Sequence, residues 1–427
     1  MAAEASLIAV PEGVLAALRA ALAEAALDPS AAPELLGRCE AVLLRLQFPS
    51  VAAAEPAERT APAGIAADPS RVAQKMQAEA TRLEAHEARV AAAGRLPSAP
   101  SLRITEEGLT RYLGRRFAGQ VMRVAGVREL RGGRSKLTVM LQLSESGRLP
   151  RELVLRLDRP GSAQSTNVAE EFTVLRAMHQ AGACAPEPLW LEPDATGLGA
   201  PFLAMRRMPG ETLGDYWSAG RATAAHAASL AQALAGIHAV PVASVWAGAA
   251  SSASDCVREQ LSRCARSWRA ASARSSVAIE SALAWLEERT GALRGPSVPV
   301  HGDVHFGNAM FAAAEISCLT DWEFAHPGHP AEDLAFCRSY VESVMPWPQF
   351  LAHYQAAGGR QTHEEELRYF RIWTYLRNSV LSAVALRRLL NGEALDIRTA
   401  AIALHSGARL ESALARALAT ELEADSR

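Results

Sequence analysis

An α+β fold of two lobes preceded by a helical extension is predicted by three features of this 427-residue chain. Alternating and β-branched apolar runs crowd residues 121–157, a pattern of half-buried strands. After Pro209-Gly210 the periodicity is almost wholly helical up to Arg427. The first hundred residues are alanine-rich and helical in period but share neither texture. The expected parts are therefore a helical extension over 1–100, a small β-rich lobe over 101–208 and a large helical lobe over 209–427. A short hinge between two such lobes leaves a cleft, and lobe junctions are favoured places for ligands.

In the extension, helical spacing runs through Pro11 to Leu27, Pro33 to Gln47 and Ser70 to Ala93, with Asp68-Pro69-Ser70 offering capping groups. Residues 48–67, rich in Ala, Pro and Glu, read as a loose connector. Nothing here suggests catalysis, and packing on the main body or on a second copy, as a homodimer, is the expectation. Past the linker Ser98 to Ser101, Thr105-Glu106-Glu107 precedes Leu109, Tyr112, Leu113 and Phe117 at helical spacing. Strands are expected over Val121 to Leu130, Leu137 to Leu143 and Glu152 to Leu157, then a helix from Val168 to Ala181. Leu189 to Trp190 and Phe202 to Met208 read as two more strands, and one hairpin near residue 310 interrupts the helical lobe.

Composition narrows the partners. Lys+Arg 44 against Asp+Glu 46 gives a net charge of -2, so neither nucleic acid nor an anionic membrane is expected to be recognised by overall charge. Cys39, Cys184, Cys256, Cys264, Cys318 and Cys337 show no C-x-x-C spacing, which points to a reduced cytoplasmic setting. The start MAAEASLIAVPEG has no cationic region and its apolar run stops at Pro11, unlike a leader, and no later segment resembles a membrane span. Just two of the 44 basic residues are lysines, Lys75 and Lys136, so chemistry that needs a lysine has two candidates.

The stretch His301-Gly-Asp-Val-His-Phe-Gly-Asn308, followed by a hairpin and Asp321-Trp-Glu323, carries the most information. Phosphoryl transfer needs a carboxylate near the attacking hydroxyl and oxygen ligands for Mg²⁺, because its catalysis rests on positioning and charge neutralisation. Asp303 and Asn308 are five residues apart, the interval of the kinase loop H-R-D-x-x-x-x-N, and Asp321 closes the next hairpin where a metal-binding Asp belongs. A transition-metal site of His301, Asp303 and His305 would need an extended segment, which Gly302 and Gly307 oppose. Together with Pro330-Ala-Glu-Asp-Leu-Ala335, these motifs resemble the aminoglycoside phosphotransferase family of small-molecule kinases, over about residues 105–400. The resemblance implies a bilobal protein-kinase-like fold, Asp303 as catalytic base, Asn308 and Asp321 as Mg²⁺ ligands, and Asp333 bracing the loop. It also gives His305 a place in the catalytic loop and Glu323 one beside the substrate.

In the small lobe, Gly132-Gly133-Arg134-Ser135-Lys136 lies between two expected strands and resembles the family's phosphate-binding turn, with Lys136 in place of an Asn. Lys136 either adds a cation over the phosphates or is merely solvated. No lysine follows it, so Arg156 in Leu153-Val-Leu-Arg-Leu157 is the candidate to align the α/β-phosphates, with Glu171 as its ion-pair partner and Glu170 as the rival. Met205 and the backbone near Arg207 are expected to meet the purine. Arg371 and Arg377 on the C-terminal helices suggest an anionic acceptor. The expected activity is ATP- and Mg²⁺-dependent transfer of the γ-phosphoryl group to a hydroxyl of a small molecule. A hydroxyacyl or hydroxy-acid kinase of the same fold and a catalytically silent nucleotide-binding protein are the alternatives.

Overall fold

The computed structural model describes residues 104–130, 136–158, 167–216, 218–272, 276–390 and 402–425. The expected extension over 1–100, and with it any dimer contact it makes, lies outside the described residues, as do Gly132, Gly133 and Ser135. Two compact units divide the chain. One takes Met1–Ala99, Ala270–Ser275 and Ser379–Leu410, and its described part includes the π-helical turn Ile402–Ser406. The other takes Pro100–Arg269, Ser276–Asn378 and Glu411–Arg427, and it holds every candidate side chain.

Helix α1 (Glu106–Arg116) starts where the sequence places it, because the Thr105 hydroxyl accepts the Gly108 N–H at 3.1 Å. Glu106 and Glu107 in its first turn and Arg115 and Arg116 in its last suit the helix dipole. Thr105→Ala is expected to cost about 1 kcal/mol, read as a lower urea midpoint at constant slope.

Strands β1 (Arg123–Leu130), β2 (Lys136–Glu145) and β3 (Glu152–Asp158) follow, then α2 (Val168–Gln180), β4 (Pro188–Glu192) and β5 (Phe202–Arg206). They form one antiparallel sheet in the order β1-β2-β3-β5-β4. Its two faces differ because side chains alternate and antiparallel partners share a face. Leu137 faces Leu157, Val139 faces Leu155 and Leu141 faces Leu153, and these residues pack with Leu109, Tyr112, Leu113 and Phe202 into a core under α1. The opposite face carries the pairs Lys136 with Asp158, Thr138 with Arg156 and Val154 with Met205.

Beyond β5 the chain turns at Gly210, whose φ of +96° and whose closeness to Phe311 exclude a side chain: a Cβ would lie 2.2 Å from the Phe311 carbonyl oxygen. The helical lobe then comprises β6 (Glu211–Thr212), α3 (Ala224–His238), α4 (Val242–Val245), α5 (Ala253–Ala271), α6 (Val277–Thr290), β7 (Val298–Val300), β8 (Ala309–Ala312), β9 (Glu315–Leu319), β10 (His326–Gly328), α7 (Ala331–Glu342), α8 (Trp347–Ala356), α9 (Glu364–Leu390) and α10 (Gly407–Asp425). The expected hairpin is β8–β9, but β6 joins it as a third strand and β7 pairs with β10. These extra strands were missed because two or three residues are too few to show an alternation. Through β6, the segment that leaves the sheet lobe is hydrogen-bonded to the hairpin whose ends carry Asn308 and Asp321. No helix among the described residues is long and apolar enough to cross a membrane.

Candidate active site

The loop between β7 and β8 is held from below by one carboxylate. Asp333, in the first turn of α7 and fully buried, accepts the His301 N–H at 2.9 Å and the Gly302 N–H at 2.8 Å, and meets His238 Nε2 of α3 at 3.1 Å. Burial alone would raise its pKa, but the His238 contact and the charges and N–H around it outweigh burial and hold the carboxyl below its usual value. Gly302 has a φ of +81°, and a Cβ there would sit 2.8 Å from the Phe324 carbonyl oxygen, so this turn requires glycine. His301 Nδ1 accepts the Asp303 N–H at 3.3 Å, so its proton is on Nε2, which donates to the Thr320 carbonyl at 2.9 Å. Burial pushes the His301 pKa down, against its acidic neighbours, and the ring is a neutral strut. Both ring nitrogens are thus committed to the protein, which removes His301 from any transition-metal site.

Asp303 and Asn308 do come together. The Asn308 Nδ2 group donates to the Asp303 carbonyl and to Asp303 Oδ2, both at 2.9 Å, which leaves the Asn308 side-chain oxygen to face elsewhere. The Thr320 N–H donates to the Asn308 carbonyl at 2.7 Å and ties the loop to the residue before Asp321. His305 accepts the Gly307 N–H through Nδ1 at 3.1 Å, and its Nε2 lies 3.8 Å from Asp303 Oδ2. The ring is set between Tyr216 and Tyr340, whose hydroxyl donates to the Tyr216 carbonyl at 2.7 Å. Burial favours the neutral Asp303 carboxyl, but the His305 imidazole N–H side 3.8 Å away and the Arg377 guanidinium behind hold it below the usual carboxylate range. Asp303 is therefore an ionised acceptor at neutral pH.

Asp321 has φ 66° and ψ 59°, left-handed backbone that costs a non-glycine residue about 1–2 kcal/mol. The neighbouring Trp322, whose indole donates to the Leu319 carbonyl at 2.7 Å and stacks edge-on with His301, anchors this strained turn in the core. Arg156 NH2 donates to Asp321 Oδ1 at 2.7 Å, while its Nε lies 3.1 Å from Glu171 Oε1. Glu171 is the buried member of its pair, whereas Glu170 stays exposed in the first turn of α2, where its carboxylate accepts from the Asn167 Nδ2 group at 3.3 Å. Burial pushes the Glu171 pKa up despite Arg156, and the carboxylates of Glu171, Asp321 and Glu323 push that of Arg156 up against burial. Glu323, itself buried, thus bears on Arg156. Lys136 is 1% exposed, 3.4 Å from Asp158 Oδ1 and 4.0 Å from Glu171 Oε2, so it is buried beside acids and not solvated.

Other candidates separate. Met205 is buried on the sheet face of Arg156, opposite Val154. The Arg207 N–H is taken by the Glu152 carbonyl at 3.3 Å. Arg371 pairs with Glu421 at 3.2 Å on α10, whereas Arg377 lies between the rings of Phe324 and Phe336 with Glu332 at 3.6 Å. Six residues along a helix is about 240° of rotation after one full turn, so one cleft cannot take both arginines. Sequence reasoning missed His238, Tyr216 and Tyr340, which carry no local motif and reach the loop from positions 63 or more residues upstream or on the next helix.

Among the described residues no group of three His, Cys, Asp or Glu side chains is arranged to hold a metal. Asn308 and Asp321 offer two hard oxygen donors, which fits Mg²⁺ bound mainly by phosphate and water and does not fit a protein cage for zinc or calcium.

Comparison with known proteins bears on the family and the fold. The model of the phosphotransferase enzyme family matches residues 126–373. Acyl-CoA dehydrogenase family member 11 of Rattus norvegicus is 27% identical over 242 residues, covering 55% of this chain and 30% of that protein. Acyl-CoA dehydrogenase family member 10 of Mus musculus is 28% identical over 216 residues, covering 49% of this chain and 20% of its own. The chain thus spans less than a third of either relative. Among solved structures, a candidate aminoglycoside phosphotransferase from Ralstonia eutropha superposes with a TM-score of 0.56 at 18% identity, over 74% of this chain and 98% of that one. A macrolide 2'-phosphotransferase type I superposes with a TM-score of 0.51 at 22% identity, over 74% and 99%. The sheet lobe, the hinge and the helical lobe are those of the protein-kinase-like fold, and the chain belongs to the phosphotransferase enzyme family.

Proposed function

We propose that this chain transfers the γ-phosphoryl group of ATP to a hydroxyl of a small molecule, with Mg²⁺. The observation that carries the reading is the pair formed by Asp303 and Asn308, tied through Thr320 to an Asp321 that Arg156 bridges to Glu171. Asp303 accepts the acceptor's hydroxyl proton as the oxygen–phosphorus bond forms and the bond to ADP breaks. Its low basicity suits a loose transition state, in which the proton leaves late. His305, fixed by its Gly307 bond between two tyrosines, orients the Asp303 carboxylate. Asn308 and Asp321 hold Mg²⁺, which when bound offsets charge on the transferring group. Arg156 aligns the phosphates, Met205 and Val154 wall the purine, and the backbone after Arg207 meets its edge.

For the acceptor, Arg377 against the catalytic loop opposes a polycationic amino sugar. A hydroxyacyl acceptor is favoured by the names of the mammalian relatives, which are acyl-CoA dehydrogenase family members. A reduced cytoplasmic setting is proposed on the five described cysteines, all unpaired.

ATP consumption against amino sugars, hydroxy acids and hydroxyacyl-CoA thioesters tests the reading; nucleotide binding with no turnover on any of them favours a silent nucleotide-binding protein. Asp321→Asn is expected to weaken Mg²⁺-dependent ADP binding by about tenfold or more in calorimetry. The same affinity at every Mg²⁺ concentration as the unmodified protein would remove Asp321 from the metal site.

A further inference from the structure

In a chain that uses arginine for nearly all its basic residues, one of two lysines is buried at the first position of β2, on the sheet face that carries Arg156. Taking an ammonium out of water is costly, and a leucine or threonine would fill a strand position more cheaply. The acids around it give the reason for its presence. Arg156 already spans Glu171 and Asp321, and Glu323 bears on it as well. With Asp158, four carboxylates meet two cations on this face. An incoming polyphosphate therefore enters an acidic field, which one arginine committed to two carboxylates offsets poorly.

We propose that Lys136 is a second phosphate-binding cation, coupled to Arg156 through Glu171, and that the position requires lysine. The proposal rests on the nucleotide reading above and adds a division of labour to it: Arg156 mainly bridges Glu171 to Asp321, while Lys136 meets the phosphates from strand β2. Three observations support it. Lys136 shares the sheet face of Arg156 by register. Its contacts with Asp158 at 3.4 Å and with Glu171 at 4.0 Å are longer than the roughly 2.7–2.9 Å of a tight charge-assisted bond, so either of these two contacts can give way to a phosphate oxygen. Glu171 Oε2, on the Lys136 side, is buried without a hydrogen bond, and a small approach of Nζ would satisfy it. A compact ammonium can turn its three donors toward two acids and a phosphate from one point, whereas a guanidinium presents its donors in a fixed planar fork.

Two lysines make a direct test possible. Protein grown with ¹³Cε-lysine gives two side-chain signals, and Lys75→Arg assigns them. With Mg²⁺ present, the Lys136 signal is expected to move on adding ATP or ADP and to stay in place with adenosine. In calorimetry, Lys136→Met and Lys136→Arg are expected to lower ADP affinity by about ten- to a hundredfold while leaving adenosine affinity unchanged. A still Lys136 signal while calorimetry registers ATP binding overturns the proposal and leaves the nucleotide reading intact. Equal losses for adenosine and ADP in the variants overturn it also, by showing a structural role. Absence of any nucleotide binding by the unmodified protein overturns the proposed function and this inference with it. If neither variant folds, the titration of the unmodified protein decides.

Discussion

Asp303→Asn is expected to lower turnover by about a hundredfold to ten-thousandfold while leaving ADP affinity within about twofold. The variant is close to isosteric. Its side-chain oxygen can keep the hydrogen bond from Asn308 Nδ2 that now reaches Asp303 Oδ2 at 2.9 Å, so the loop retains its shape. What it loses is an anionic oxygen to take a proton, and the charge that His305 and Arg377 stabilise. Single-turnover phosphorylation of the best acceptor from the panel, set beside calorimetry with ADP, separates chemistry from binding. Equal turnover in the variant removes Asp303 as base. A parallel fall in ADP affinity would instead assign it to the nucleotide or metal site.

The second large effect is on folding. Asp333→Ala removes the acceptor of two backbone N–H groups and of His238, all away from water, and is expected to cost about 3–5 kcal/mol, with loss of activity because the His301–Gly302 turn loses its support. Asp333→Asn keeps the shape but not the charge and is expected to cost less. The pH dependence has a definite sign. The folded-state pKa of Asp333 lies below its ordinary value of 3.8, so its stabilising contribution is complete above that value and is lost as pH falls through the folded value. The gap in unfolding free energy between the unmodified protein and Asp333→Asn is therefore expected to be constant from about pH 8 to 5 and to narrow only below about pH 4. A gap that closes between pH 7 and 5 would mean that the carboxylate is not the stabilising species.

Part of this architecture is written in local pattern. The alternation through Leu137 to Leu143 and Leu153 to Leu157 sorts one sheet face into the core and leaves Arg156 on the other, and a period of two needs no tertiary information. The spacing of Asp303, Asn308 and Asp321 around a hairpin is also local, because a tight loop and two short strands bring residues within twenty positions to one end. Thr105 announces its helix through capping chemistry acting over three residues.

Other features depend on contacts between distant segments. Glu170 and Glu171 are equivalent in sequence, and only the packing of α2 on the sheet buries the second against Arg156. Arg371 and Arg377 look like one cationic stripe, yet helix rotation sends one to Glu421 and the other to Phe324 and Gly302. His238 reaches Asp333 across 95 positions. Thus the order of the chemical groups, the face each strand residue takes and the helix starts follow from the sequence alone, since those properties arise from neighbours along the chain. Which glutamate is buried against Arg156, which arginine reaches Gly302, which histidine meets Asp333, and that Lys136 is buried among acids, was decided by the tertiary structure, because burial and ion pairing depend on groups that only folding brings together.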